Sequence, residues 1–363
     1  MISPKSSPYL VIGCAIATVT LLLSLHNRLS VSSTPSNWGL SSQSSSSNNA
    51  NYRSASARKS IDTTSEIGRA SNATVGFHKI LVLSLPERSD KRDAFVLSAS
   101  LTGFQVEFFD AVKGDEVLEK ARPPGMDLKG GGLGSWRSHL NAIRSILETN
   151  AASVFIMEDD VDWDIRLLSQ LPEFAKGVRS LSGVKPSEAQ HSPYGDDWDI
   201  LWPGHCGEVL PKGDDRRYTI SNDETVAPKA HQPWLMGLKD MPEKTRMVHK
   251  VGAPICTFGY AVSYRGAQKL LMALAIKGGG NLAFDNRLAY LCRDGALDLK
   301  CYSVEPQLFQ HHRPAGSVNK DSDINGGNSD AVRQKGVTGF IVLSARLNLE
   351  QMITGSEEYV KQW

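Results

Sequence analysis

Charge of one sign is missing from this 363-residue chain: 40 Lys and Arg stand against 39 Asp and Glu, a formal net charge of +1. With no basic excess, nothing electrostatic points to nucleic acid as a partner. The chain also lacks an internal repeat, a P-loop GK[ST] run, a dinucleotide fingerprint, a CxxC pair and any Cys/His cluster with zinc spacing. Those absences argue against a solenoid, a Walker-type phosphotransferase, a thioredoxin-like redox centre and a structural zinc. Hydrophobic residues at 40% and charged residues at 22% suit a globular protein and exclude disorder throughout.

What is present is unevenly placed. Tyr9 to Leu25 carries no charge and sits between Lys5 and Arg28, at the short end of what spans a bilayer as a helix. We read it as a signal-anchor, with the N-terminus cytosolic; a cleaved signal peptide ending near Val31 and Ser33 is the competing reading. Thirteen residues from Ser30 to Ser60 are serine, a composition too polar to offset the entropy of ordering. The expected organisation is therefore a tail and anchor at 1–29, a flexible stalk at 30–76 and a lumenal domain at 77–363, its core about 79–313 and its C-terminal extension 314–363. Asn72-Ala73-Thr74 is a glycosylation acceptor sequence if this side is lumenal. Cys206, Cys256, Cys292 and Cys301 remain beyond the apolar run; nearness favours pairing Cys292 with Cys301 and leaves Cys206 with Cys256, the alternative being four buried thiols.

Strand-like runs occupy Lys79 to Leu85, Phe104 to Asp110, Val154 to Met157, Trp198 to Trp202, parts of Met247 to Ser263, and Leu299 to Val304. Helical patterns occupy Glu87 to Thr102, Leu133 to Leu147, Tyr264 to Ile276 and Phe284 to Cys292, with a Pro/Gly loop from Arg122 to Gly134. The alternation predicts an α/β sandwich with a mainly parallel sheet. Pro203 to Arg246 reads as an excursion over the surface.

Three constellations carry chemistry. The apolar strand VFIM runs straight into Glu158-Asp159-Asp160, and such crowded carboxylates need a cation or hydrogen-bond donors. Mg²⁺ or Mn²⁺ holding a phosphate is one solution; a solvated turn capping a helix at Trp163 or Asp164 is the other. Directly after the first strand, LPERSDKR sets Arg88 and Arg92 four apart, so both could meet a nucleotide phosphate while Asp90 fixes them or a ribose. An exposed helix with local ion pairs is the alternative. GGGLGSWRSHL permits close backbone approach to an anion at a helix start, with His139 bordering the apolar face as a structural histidine would. Candidate donor contacts are Leu85, Arg88, Asp90, Arg92, Gly134, Ser138, His139 and Asp159.

These motifs, followed in order by FGYAVSYRGAQKLL and FDNRL, resemble the family-25 glycosyltransferases, and WDILWPGHCGE is similar to their fungal, membrane-anchored branch. The resemblance covers roughly Lys79 to Arg313. It implies a GT-A-type, Rossmann-like α/β/α sandwich, a UDP-hexose donor, most plausibly UDP-galactose, an inverting transfer to a glycan or glycoprotein hydroxyl, and a divalent metal, Mn²⁺ ahead of Mg²⁺. It also implies a type II protein of the Golgi or endoplasmic reticulum. Glu158 and Asp160 correspond to the outer acids of the metal motif, with Asp159 the alternative, although the run reads Glu-Asp-Asp and not Asp-x-Asp. His311 is the candidate imidazole ligand. Asp285, at the start of a later helix, is the candidate base; a helix cap is its alternative role, and Asp240, Glu243 and Asp294 are the substitutes. A binding protein of the same fold that has lost transfer, and a metal-dependent phosphotransferase, are the rival functions.

Overall fold

A computed structural model describes residues 61–232, 236–324 and 329–363. The apolar run at 9–25 and the serine tract from Ser30 to Ser60 lie outside the described residues. Among the described residues no helix is long and apolar enough to cross a membrane.

In chain order the elements that position the site are β1 (Lys79–Ser84), α1 (Ser89–Thr102), β2 (Glu107–Asp110), α2 (Gly130–Glu148), β3 (Ser153–Glu158), β4 (Val161–Trp163) and α3 (Leu167–Ser182). They continue as β5 (Ile200–Gly204), β6 (Arg217–Ile220), β7 (Arg246–Lys250), β8 (Gly259–Ser263), α4 (Tyr264–Leu270), α5 (Phe284–Arg293), β9 (Cys301–Glu305) and β10 (Phe309–Arg313). The sheet is ordered β2-β1-β3-β8-β5-β9-β7-β6. β1 runs parallel to β2 and β3, and β5 parallel to β9, while β8 and β7 run against their neighbours. Most strands thus point one way, as the pattern predicts.

Side-chain alternation explains why the strands read as unbroken apolar runs. Ile80 and Val82 of β1 and Phe155 and Met157 of β3 enter one core, with Phe95 of α1 and Phe174 and Val178 of α3. Leu81 and Leu83, Val154 and Ile156 enter the other, with Trp136, Leu140 and Ile143 of α2 and Leu270 and Leu288 of α4 and α5. Both faces are covered, so both residue parities must be apolar; each large side chain so buried contributes about 1.5–3 kcal/mol.

Four local expectations are corrected. The chain is described from Ile61 and packs from about Glu66 onward, inside the expected stalk: a 3₁₀ turn at Gly68–Ser71 buries Ala70, and Val75 and Phe77 join the core. Those few apolar positions suffice to fix a segment that is polar on average. The glycine run belongs to α2 itself, which begins at Gly130. The three acids lead into β4, antiparallel to β10, and not into a helix they would cap. α3, which the pattern left unassigned, carries Pro172 inside it, and Pro203 to Arg246 adds the edge strand β6. The C-terminal extension is integral: fully buried Asp162 accepts from the Thr338 hydroxyl at 2.6 Å and from Arg346 N–H at 3.2 Å, and also meets Ser344. Both cystine pairings follow the nearness expectation, Cys206 with Cys256 and Cys292 with Cys301.

Beyond β5 and β9 lies a second buried polar cluster, in which His249 Nε2 stands 3.9 Å from Glu208 and 4.0 Å from Glu305, with His205 3.9 Å from Glu208. Burial pushes the Glu208 and Glu305 carboxyls up to about 8 and about 9 from 4.5, and the His205 and His249 imidazoles down to about 3 and about 4 from 6.5. All four are therefore uncharged near neutrality. The acids' contribution is fully present below their unfolded value and is lost as pH rises through about 8 to 9; the histidines' is present above 6.5 and lost on acidification. Melting temperature is expected to fall as pH is raised from about 7 to about 9, and Glu305→Gln, which mimics the protonated acid, should flatten that fall. Parallel melting curves for the two proteins across this range would reject the assignment.

Candidate functional site

The register sets Leu83 of β1 opposite Glu158 of β3, so the chain after β1 and the acidic turn after β3 emerge side by side at the C-terminal ends of two parallel strands. That is where open α/β sheets bind ligands. A pocket of about 300 Å³ opens there, lined by Leu85, Lys91, Val112, Gly130, Ser138, His139, Glu158, Asp159, Asp160 and Asp323 among others. α2 brings its first turn to the pocket through Gly130 and Gly131, with no side-chain cap on the helix N-terminus, which suits an anionic ligand.

Each acid has a different partner. Lys91 Nζ holds Asp159 Oδ1 at 2.9 Å and Asp323 at 3.3 Å. Burial pushes the Asp159 carboxyl up, against the pull of Lys91. Burial opposes the charge on Lys91 too, but the neighbouring Asp160, Asp159 and Asp323 override it and raise the ammonium. Arg313 Nη1 holds Asp160 Oδ2 at 2.9 Å, and Asp160 Oδ1 is buried without a hydrogen-bond partner. Thr257 Oγ1 donates to Glu158 Oε1 at 2.7 Å. That same oxygen lies 3.7 Å from His139 Nε2, and His139 Nδ1 is 3.0 Å from the Tyr260 hydroxyl. His139 is buried and stacks on Phe284 at 4.4 Å, so it is at once a packed histidine and a pocket wall.

The remaining expected residues separate. Leu85, Ser138, His139 and Asp159 line the pocket. Ser138 Oγ accepts from Val112 N–H at 2.8 Å, and a Cβ on Gly134 would stand 2.5 Å from Val112 O; both fix the 111–115 wall by close approach. Arg88 is gripped by Asp90 at 2.9 Å and reaches Asp323. Arg92 donates to Ser84 O at 2.9 Å and to Asp110 at 2.6 Å, so it braces the ends of β1 and β2 and does not present its charge to the pocket as expected. His311 accepts at Nδ1 from Arg313 at 3.0 Å, the same guanidinium that holds Asp160; burial, then Arg313, pushes its imidazole down to about 4, leaving it neutral.

Asp285 is not brought to the pocket. Its Oδ2 accepts from Cys256 N–H at 2.8 Å and its Oδ1 from Asn286 N–H at 2.7 Å. Cys256 has φ 67°, a left-handed backbone held in addition by its disulfide and by Trp202 Nε1 donating to its carbonyl. In this geometry Asp285 clamps that residue, and it is not among the residues lining the pocket, where a base was expected. Asp285→Ala should cost about 1–3 kcal/mol, the usual consequence of orphaning a partly buried N–H, with turnover changed only a few-fold. A hundredfold loss of turnover at unchanged melting temperature would restore the catalytic assignment.

Among the described residues no three His, Cys, Asp or Glu side chains converge to hold a metal ion by themselves. Mg²⁺-type sites commonly use one or two carboxylates and leave the rest to water and substrate phosphate. The unpartnered Asp160 Oδ1 is the atom fitted for that arrangement.

The chain shares 23% identity over 273 residues with procollagen galactosyltransferase 1 of Danio rerio, covering 69% of this chain and 39% of that protein. The chain is similar to the family-25 glycosyltransferases. Procollagen galactosyltransferase 2 of Mus musculus matches at 23% over 65% of this chain and 35% of its own length, and a glycosyltransferase 25 family member of Aedes aegypti at 22% over 54% and 28%. The chain thus spans well under half the length of the curated family-25 relatives it matches. No family model matches it.

Lys91 and Asp323 of the pocket lining, and Thr257, which holds Glu158, escaped the sequence reading. Lys91 lay inside a quoted motif between two arginines, and a charge run does not say which member turns inward. Thr257 and Asp323 carry no local signal.

Proposed function

We propose that the protein is a lumenal glycosyltransferase that moves a hexose, galactose being the leading candidate, from a UDP-sugar to a hydroxyl of a glycan or glycoprotein with inversion. The observation that carries this reading is the pocket itself: a helix N-terminus and Lys91 face three carboxylates at the end of β3, and two of the relatives named above are procollagen galactosyltransferases. Two disulfides suit an oxidising compartment.

In this scheme Lys91 and the first turn of α2 receive the donor's diphosphate, and the 111–115 wall, fixed by Ser138 and Gly134, bounds the nucleoside. Glu158 takes the proton of the acceptor hydroxyl as that oxygen bonds to the sugar C1 and the bond from C1 to the diphosphate breaks. Thr257 and His139 hold the Glu158 carboxyl in place. Asp160, with Asp159 as its alternative, would hold a divalent cation together with donor phosphate; that cation would supply charge neutralisation to the leaving diphosphate. Manganese is preferred over magnesium by family resemblance, with His311 the remaining expected ligand; Glu158, expected from the motif as a further ligand, serves in this scheme as the base instead.

The test is a donor screen of the purified protein with UDP-hexoses, supplied with Mn²⁺, Mg²⁺ or EDTA, reading UDP release and transfer. UDP release from one hexose donor, lost with EDTA, is the expected result. Binding of UDP-sugars without turnover would mark a binding protein, and turnover confined to phosphate esters a phosphotransferase; either outcome overturns the proposal.

A further inference from the structure

The segment Lys320–Ile324 belongs to the C-terminal extension, yet it forms one wall of the pocket through Ser322, Asp323 and Ile324. It lies against the start of α2 so closely that a Cβ on Gly131 would stand 2.6 Å from the Ile324 Cα. Arg88 fastens it from below, donating to Lys320 O at 2.9 Å and pairing with Asp323. On the pocket side the same Asp323 carboxylate lies 3.3 Å from Lys91 Nζ. Lys91 is only 12% exposed, so a buried ammonium in this pocket needs anionic company. Asp159 supplies one partner permanently, from the end of β3. Asp323, 39% exposed at its side chain, supplies the second from a strap that Arg313 also holds, donating to Asp321 O at 3.3 Å.

We propose that Lys91 is the subsite for the donor's diphosphate and that Asp323 occupies it in the donor-free protein, an internal carboxylate that the incoming phosphate displaces. This rests on the nucleotide-sugar reading of the pocket and adds a regulatory contact to it. An anion arriving between Lys91 and the α2 N-terminus meets a carboxylate of its own sign, so Asp323 must leave and the strap with it. The competing ion pair lowers donor affinity by the fraction of time it is closed. It also keeps Lys91 extended toward the site, which limits the ordering required on binding.

UDP and inorganic pyrophosphate binding to the full-length protein, with Mn²⁺ present, tests this. Asp323→Asn should tighten both ligands by about two- to fivefold, the range of a partly exposed ion pair. Asp330→Asn, which removes the same charge from a residue that does not line the pocket, should change neither. Lys91→Gln should weaken both by roughly tenfold or more. Unchanged affinities in Asp323→Asn and Lys91→Gln, with UDP still bound by the parent, would overturn the subsite and leave the glycosyltransferase reading standing. Weaker binding in Asp323→Asn would make Asp323 part of the donor site and overturn the competitor role. No UDP binding by the parent protein would instead sink the nucleotide-sugar reading on which this rests.

Discussion

Glu158→Gln lowers turnover by about a hundred- to ten-thousand-fold while UDP affinity stays near that of the parent, if the carboxyl at the end of β3 is the proton acceptor. The substitution is conservative in packing. Thr257 Oγ1 still finds an oxygen to donate to where it now meets Glu158 Oε1 at 2.7 Å, so loss of fold is not expected. What disappears is the group able to take a proton, and in an inverting transfer the nucleophile is only as good as the base beside it. Steady-state kinetics with a fixed acceptor, together with isothermal titration of UDP, separate the two effects. A loss of only a few-fold would remove Glu158 from the chemistry.

Asp160→Asn is the second large effect, at least about a hundredfold in transfer, because Asp160 Oδ1, buried without a hydrogen-bond partner in a residue that lines the pocket, is the atom offered to a cation. Arg313 still meets an oxygen at the other position, and one of three crowded negative charges is removed, so the metal-free variant should melt no lower than the parent. Thermal shift with and without Mn²⁺ gives a readout independent of turnover: the parent is stabilised by the ion and the variant much less. Equal shifts in the two proteins, or a parent indifferent to EDTA in transfer, would contradict a metal held at Asp160.

The acidic turn was legible because its residues are consecutive and end an apolar strand, so a sheet edge and a charge cluster are read in one glance. Both disulfides were legible because only four cysteines remained and two lay close in sequence. The base was not. Asp285 has the right residue type at a helix start, but its partner Cys256 is 29 positions away, and only the fold shows that a left-handed residue there needs the carboxylate. The strap was equally hidden: Arg88 and Asp323 are 235 positions apart, and nothing local marks Asp323 as different from its neighbours Asp321 or Asp330. Where the acids lead, for which a capped helix was one of two readings, was hidden for a related reason. A three-residue strand has too few positions to show a period, and β4 exists because β10 pairs with it.

The measurement that tests the central claim most directly is the crystal structure of the protein with UDP and Mn²⁺. The account predicts the diphosphate between Lys91 and the first turn of α2, the ion on Asp160, and Asp323 moved off Lys91. UDP bound anywhere other than the pocket at the ends of β1 and β3 would contradict it.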